Sequence, residues 1–251
     1  MSNRVLIIGS APDAVRALSI DASVFSAIVV LNNAWRIRDD WTHIVYPEDF
    51  AEDRRPPPIV GKTVVQYDQF VPANNAFGGT VYAGGTMAFT GAYWVLHALK
   101  PSLMAFIGCD MIYDGDPGKS HFYGRGEADP LRDDPTLQHL ESKSDRLMWK
   151  AFENQCLCVN LSNLSRSRLT FEAVEMDVLS NNPTAVYDQG MGRLQRLADM
   201  AAADRALQME GHAGAFVESG DYWNSSNPLD PEQLSAIDQQ WGRVFSASAA
   251  E

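Results

Sequence analysis

Six short apolar runs interrupt the first 165 residues, and helix-like stretches lie between them. The runs cover residues 4–8, 27–31, 43–46, 63–67, 103–107 and 156–161. Most are apolar throughout instead of alternating, the pattern of strands buried on both faces. Helical stretches fall at 13–18, 87–99 and 135–154. Strand and helix in alternation predict an α/β fold, a doubly wound and mainly parallel sheet with helices on both faces, Rossmann-like in type. The run at 63–67 follows Pro56-Pro57-Pro58 and reads as an edge strand.

After about Ser180 the strand signal stops. Residues 193–209 are Ala-rich and helical, and 231–244 predict a last helix with Asp230 as its N-cap. The chain therefore divides into a domain over 1–180, with a lid loop at about 111–135, and a helical extension over 181–251. That extension packs either on the domain or on a second copy, which would make a homo-oligomer.

Composition excludes several classes. The net charge is −12, and no basic stripe is visible, which argues against nucleic-acid binding. No apolar stretch approaches membrane-spanning length, and the N-terminal MSNRVLIIGS lacks a signal-peptide pattern. Cys109, Cys156 and Cys158 lie in apolar surroundings and read as reduced core thiols, the usage of a cytoplasmic protein.

The loop after the fifth run is dense in reactive side chains: Asp110, Tyr113, Asp114, Asp116, His121, Tyr123, Asp129 and Arg132. Long loops of this kind are usually functional, and ligands of open α/β sheets bind beyond the carboxyl ends of the strands. A neutral imidazole at His121 can take a proton from a hydroxyl, and Tyr113 or Tyr123 can steady a leaving phosphate. Asp129 can orient Arg132 toward an anion. Asp49, at the end of the third run, joins those two as a substrate contact. His139, at the start of the following helical stretch, is a second candidate base.

Other turns offer nucleotide contacts. Gly9-Ser10-Ala11-Pro12 follows the first strand and opens a helix, where backbone N–H groups attract phosphate. It is not GxGxxG, so a nicotinamide cofactor is disfavoured. Asn32 and Asn33 end the second strand, as base or ribose partners or as an ordinary turn. Gly84-Gly85-Thr86 precedes a buried helix, with Thr86 as hydroxyl donor or simply as cap. Asp114-Gly115-Asp116 has the D-x-D pattern that holds a divalent metal, or is a plain turn.

Taken in order, VLIIGSAPD, VVLNNAW, THIVYPEDF, GGTMAFTGAYWVLHAL, LMAFIGCDMIYDGD, SHFYG and CVNLSNLSRSRLTF resemble the bacterial sialyltransferases of the Campylobacter type and their broader Rossmann-like relatives. Those relatives include motility-accessory and pterin-pyrophosphokinase-like proteins. The resemblance covers residues 4 to about 174. It implies one Rossmann-like domain with a small lid, no essential metal, and a His base with tyrosines near the phosphate. By position it gives Ser10, Asn33, Gly85, Thr86, Asn163 and Ser165 to the nucleotide and Tyr113 to its phosphate. Two departures stand out: Pro47 or Glu48 replaces an Asn of the family, and the Thr-Ser-Gly loop is not intact.

The resulting expectation is transfer from a nucleotide-activated sugar, CMP-type favoured, to a glycan acceptor, with His121 or His139 as base and no cofactor required. The alternatives are Mg²⁺-dependent pyrophosphoryl transfer through Asp110, Asp114 and Asp116, or a non-catalytic nucleotide-binding or assembly protein.

Overall fold

A computed structural model describes residues 3–113, 120–124, 134–225 and 228–246. Seven strands form one all-parallel sheet in the order β4-β3-β2-β1-β5-β6-β7. They are β1 (Arg4–Ile8), β2 (Ala27–Leu31), β3 (His43–Val45), β4 (Thr63–Val65), β5 (Leu103–Ile107), β6 (Leu157–Asn160) and β7 (Glu172–Ala173). The fold is doubly wound α/β. The order reverses between β1 and β5, so the switch point lies where Ile8 and Ile107 end side by side.

Helices cover both faces. Helix α3 (Met87–Trp94) lies on one face, where Gly91 fits against Leu31 and Val45. Its Tyr93 sits beside Cys158 on the same face. The next side chain back along the strand, Leu157, points the other way and meets Gly190 of α6 (Pro183–Leu197). Residues of β1, β2, β5 and β6 are almost entirely buried, which is why their runs carry no polar alternation.

Several local expectations are corrected. The helix foreseen at 13–18 is a 3-10 helix, Pro12–Ser19. Helix α3 stops at Trp94 and finishes as a π turn, Val95–Leu99. The stretch 135–154 splits into a 3-10 turn, Pro135–Leu137, and α4 (Leu140–Glu153). His139 stands before α4 in a left-handed conformation (φ 49°) instead of on it. The Ala-rich stretch at 193–209 belongs to two helices, because α6 ends at Leu197 and Asp199 caps α7 (Met200–Ala213) through Ala202 N. Helices α1 (Tyr67–Asn75) and α2 (Thr80–Ala83) and the edge strand β7 add to the expected elements. A short α5 (Met176–Asn181) follows β7.

The extension packs on its own domain. Helices α7 and α8 (Pro231–Trp241) join Val81, Tyr82 and Trp149 in a second hydrophobic cluster around Trp241. Asp230 caps α8 by accepting from Glu232 N and Gln233 N. Polar ties run down the face beneath it. Tyr222 bonds Asp134 Oδ2 at 2.6 Å, His139 Nε2 meets Ser235 Oγ at 2.9 Å, and Lys143 Nζ donates to Asp238 Oδ1 at 2.8 Å. Arg146 grips both oxygens of Glu210, at 2.6 and 2.9 Å. Residues 139, 143 and 146 follow helical spacing, so one side of α4 and its entry faces the extension. Among the described residues no helix is long and apolar enough to cross a membrane.

Candidate functional site at the carboxyl rim of the sheet

All strands are parallel, so the turns after β1, β2, β3, β5 and β6 share one rim. Helix α3 ends near the start of β5, which puts its N-terminus and Thr86 at that same rim. Gly9, Ser10, Asn32, Asn33, Asp49, Gly85, Thr86, Asp110, Tyr113, His121, Asn163 and Ser165 therefore lie along one edge of the molecule. Asp114, Asp116, Asp129 and Arg132 lie outside the described residues.

The β1 and β5 turns are locked together. An added Cβ on Gly9 would stand 2.2 Å from Gly108 O, and one on Gly108 would stand 2.4 Å from Ala14 Cβ. Gly108 also has φ +68°, which a side chain resists. Gly9 N and Ala11 N donate to Ile107 O and Gly108 O, both at 2.9 Å. The small size of Gly9 thus serves loop packing against Gly108, and its N–H is already engaged.

His121 is folded over this turn. Phe122 N donates to Ser10 O at 3.0 Å, and His121 and Gly124 exchange backbone bonds in a tight turn. The imidazole stacks on Tyr123 with centroids 5.0 Å apart, and Tyr113 lies 6.1 Å away on a tilted plane. Ser120 Oγ meets Nδ1 at 2.8 Å. Burial lowers the pKa of His121 because the charged imidazolium loses water. The ring is therefore neutral at cellular pH; in the tautomer whose Nδ1–H donates to Ser120 Oγ, Nε2 carries the lone pair that can accept a proton. Ser120 belongs to the SHFYG stretch, but nothing in the sequence beyond its place next to His121 singles out its hydroxyl.

Three buried acceptors mark the rim. Asn32 Oδ1, Asn33 Oδ1 and Asp110 Oδ2 find no hydrogen-bond donor among the described residues. Asn33 is 4% exposed and Asp110 is fully buried. Buried polar atoms are normally satisfied, so such atoms at a rim invite an outside donor. Among the described residues Asp110 Oδ1 has only the distant Asn160 Nδ2 at 3.5 Å. Asn160, also missed, accepts from Ser162 N and donates to Ser167 Oγ, which shapes the loop after β6. A polar residue closing a buried strand was its signal.

The remaining residues have plainer settings. Thr86 Oγ1 caps α3 by accepting from Phe89 N at 3.3 Å, and the threonine is buried. Gly85 precedes it, and the stem of Lys143 passes beneath Gly84. Asn163 N donates to Asp13 Oδ2 at 3.2 Å, and its side chain is exposed, as is Ser165. Asp49 sits in an exposed turn after β3. His139 is exposed and tied to α8. Among the described residues no group of three His, Cys, Asp or Glu side chains could hold a metal.

These features define a doubly wound α/β protein with a histidine-bearing loop closed over its switch point. Comparison with family models, with curated proteins and with solved structures returns no match for this chain.

Proposed function

We propose that the protein transfers a glycosyl group from a nucleotide-activated sugar, a CMP-activated acidic sugar being the favoured donor. One observation carries this reading: a neutral, half-buried His121, flanked by Tyr113 and Tyr123, lies over Ser10 at the β1–β5 switch. The unsatisfied oxygens of Asn32, Asn33 and Asp110 support it, since the amino and hydroxyl groups of a nucleoside supply donors. The ordered sequence blocks that resemble sialyltransferases point to the same chemistry.

The step follows from these positions. His121 Nε2 takes the proton of an acceptor hydroxyl as its oxygen bonds to the anomeric carbon. The bond from that carbon to the phosphate oxygen breaks, and its electron pair leaves with the nucleotide. Tyr113 and Tyr123, whose rings lie beside His121, are the phenols that would donate to the departing phosphate. Ser120 fixes the ring through Nδ1.

Asp110 favours a second reading. A buried carboxylate oxygen without a donor also suits Mg²⁺-dependent pyrophosphoryl transfer, in which Asp114 and Asp116 would complete the ligands.

Thermal denaturation with CMP, UDP, GDP and ATP, with and without Mg²⁺, separates the two. A hundredfold excess over Kd stabilises by about 2.7 kcal/mol. For a chain of this size that raises Tm by roughly 5–10 °C. A metal-independent shift with CMP supports glycosyl transfer, and a shift only with ATP and Mg²⁺ replaces it with the second reading. No shift with any nucleotide refutes both.

A further inference from the structure

A cavity opens beside the rim, on the face opposite α3. It holds about 210 Å³, below the roughly 300–1,000 Å³ of sites that enclose drug-sized ligands. A nucleotide sugar does not fit there, whereas one sugar ring does. Ile107 and Leu161, at the ends of β5 and β6, are among the residues that line it. Arg16 and Ser19 from the 3-10 helix face Glu175 and Asp177 at the start of α5.

The polar groups are prepared for a ligand. Arg16 NH1 is held by Asp13 Oδ2 at 3.1 Å and by Leu161 O at 2.9 Å, so the guanidinium is fixed in place. Its Nε and second terminal nitrogen have no partner among the described residues, nor do the carboxylates of Glu175 and Asp177. A fixed guanidinium offers donors without a large ordering cost. An anion would meet two carboxylates here, and a cation would meet Arg16. A hydroxyl both donates and accepts, so a polyol satisfies both signs while its C–H face lies on Ile107 and Leu161.

The geometry points to this cavity as a saccharide-binding subsite for the acceptor glycan. This inference rests on the glycosyl-transfer reading. The 3-10 helix begins two residues after Ser10, where the His121 loop is hydrogen-bonded, and at about 2 Å per residue Arg16 lies about 8 Å further along. The acceptor is therefore at least a disaccharide, with one ring held by Arg16 and Asp177 and the next presented to His121.

Saturation-transfer NMR on the full chain, with lactose and with N,N′-diacetylchitobiose, tests this beside the CMP melting shift. The expected result is transfer to at least one disaccharide. Asp177→Asn and Glu175→Gln, both at exposed positions, each weaken that binding about tenfold and leave the CMP shift intact. A CMP shift without transfer to either disaccharide overturns the subsite and leaves the donor reading standing. Disaccharide binding unchanged in both variants places the sugar elsewhere and also overturns it. Disaccharide binding lost in the variants, without any nucleotide shift, upholds the cavity and removes the transferase reading.

Discussion

Asp145 is a carboxylate the fold would be more stable without. It lies on α4 and is 9% exposed. Burial pushes its pKa up to about 6 from 3.8; a hydrogen bond with Thr170 opposes the rise and the Glu141 carboxylate adds to it. That rise is about 2 pH units, and at 1.36 kcal/mol per unit it amounts to about 3 kcal/mol. Between about pH 4 and 6 the folded chain binds the proton more tightly than the unfolded chain, so this group's contribution falls as pH rises through that window. Above pH 6 the folded protein carries the full cost of a buried charge. Asp145→Asn removes the charge, keeps an acceptor for Thr170, and turns an amide toward Glu141. The expected gain at pH 7.5 is about 2 kcal/mol, less than the full cost because the amide is itself partly desolvated. Calorimetry should then show Tm raised by roughly 4–8 °C at pH 7.5. At pH 4 the gain should vanish, because Asp145 is already protonated in the folded state. A variant that melts lower than the parent at pH 7.5, or that gains equally at both pH values, refutes the reasoning.

Three further outcomes are expected. His121→Asn should cost at least about a hundredfold in transfer rate while the CMP melting shift persists; in the parent, burial disfavours the charged ring, so the rate should fall on acidification with a midpoint below 6.5, and a fall centred above 6.5 contradicts the base assignment. Glu210→Gln leaves the buried Arg146 guanidinium without its counter-charge and should lower stability by about 3–5 kcal/mol, read from the urea midpoint. Gly108→Ala forces a methyl into Ala14 at positive φ and should cost on the order of 1–3 kcal/mol. Because Ala14 lies on the helix that follows Ser10, that variant should also lose the CMP shift, and an unchanged shift would separate this turn from the nucleotide.

The buried strands were legible because a parallel sheet covered on both faces demands uninterrupted apolar runs, as in Val5–Ile8 and 103–107. β7 was not: it has two exposed residues, Glu172 and Ala173, and is defined only by its partner β6. α1 was hidden by Pro72 within it, a residue that reads as a breaker. The break between α6 and α7 was masked by an Ala-rich stretch whose propensity continues across it. The same apolar runs put the loop after β5 and the turns after β1 and β2 at the carboxyl ends of their strands, where the structure has them. The sequence did not foretell Lys143 and Arg146 in the interior. Lone cations on an amphipathic stretch read as a solvated face, and it is partners distant in sequence, chiefly Asp238 and Glu210, that make burial tolerable.

The ties between α4 and the extension make the molecule indivisible. A fragment ending near residue 180 would bare Trp149 and Tyr82 and strand two cations in an apolar surface. Such a fragment is an aggregation hazard, not a smaller working unit. Grafting this sheet onto another protein would require carrying Glu210, Tyr222, Asp238 and Trp241 along with it.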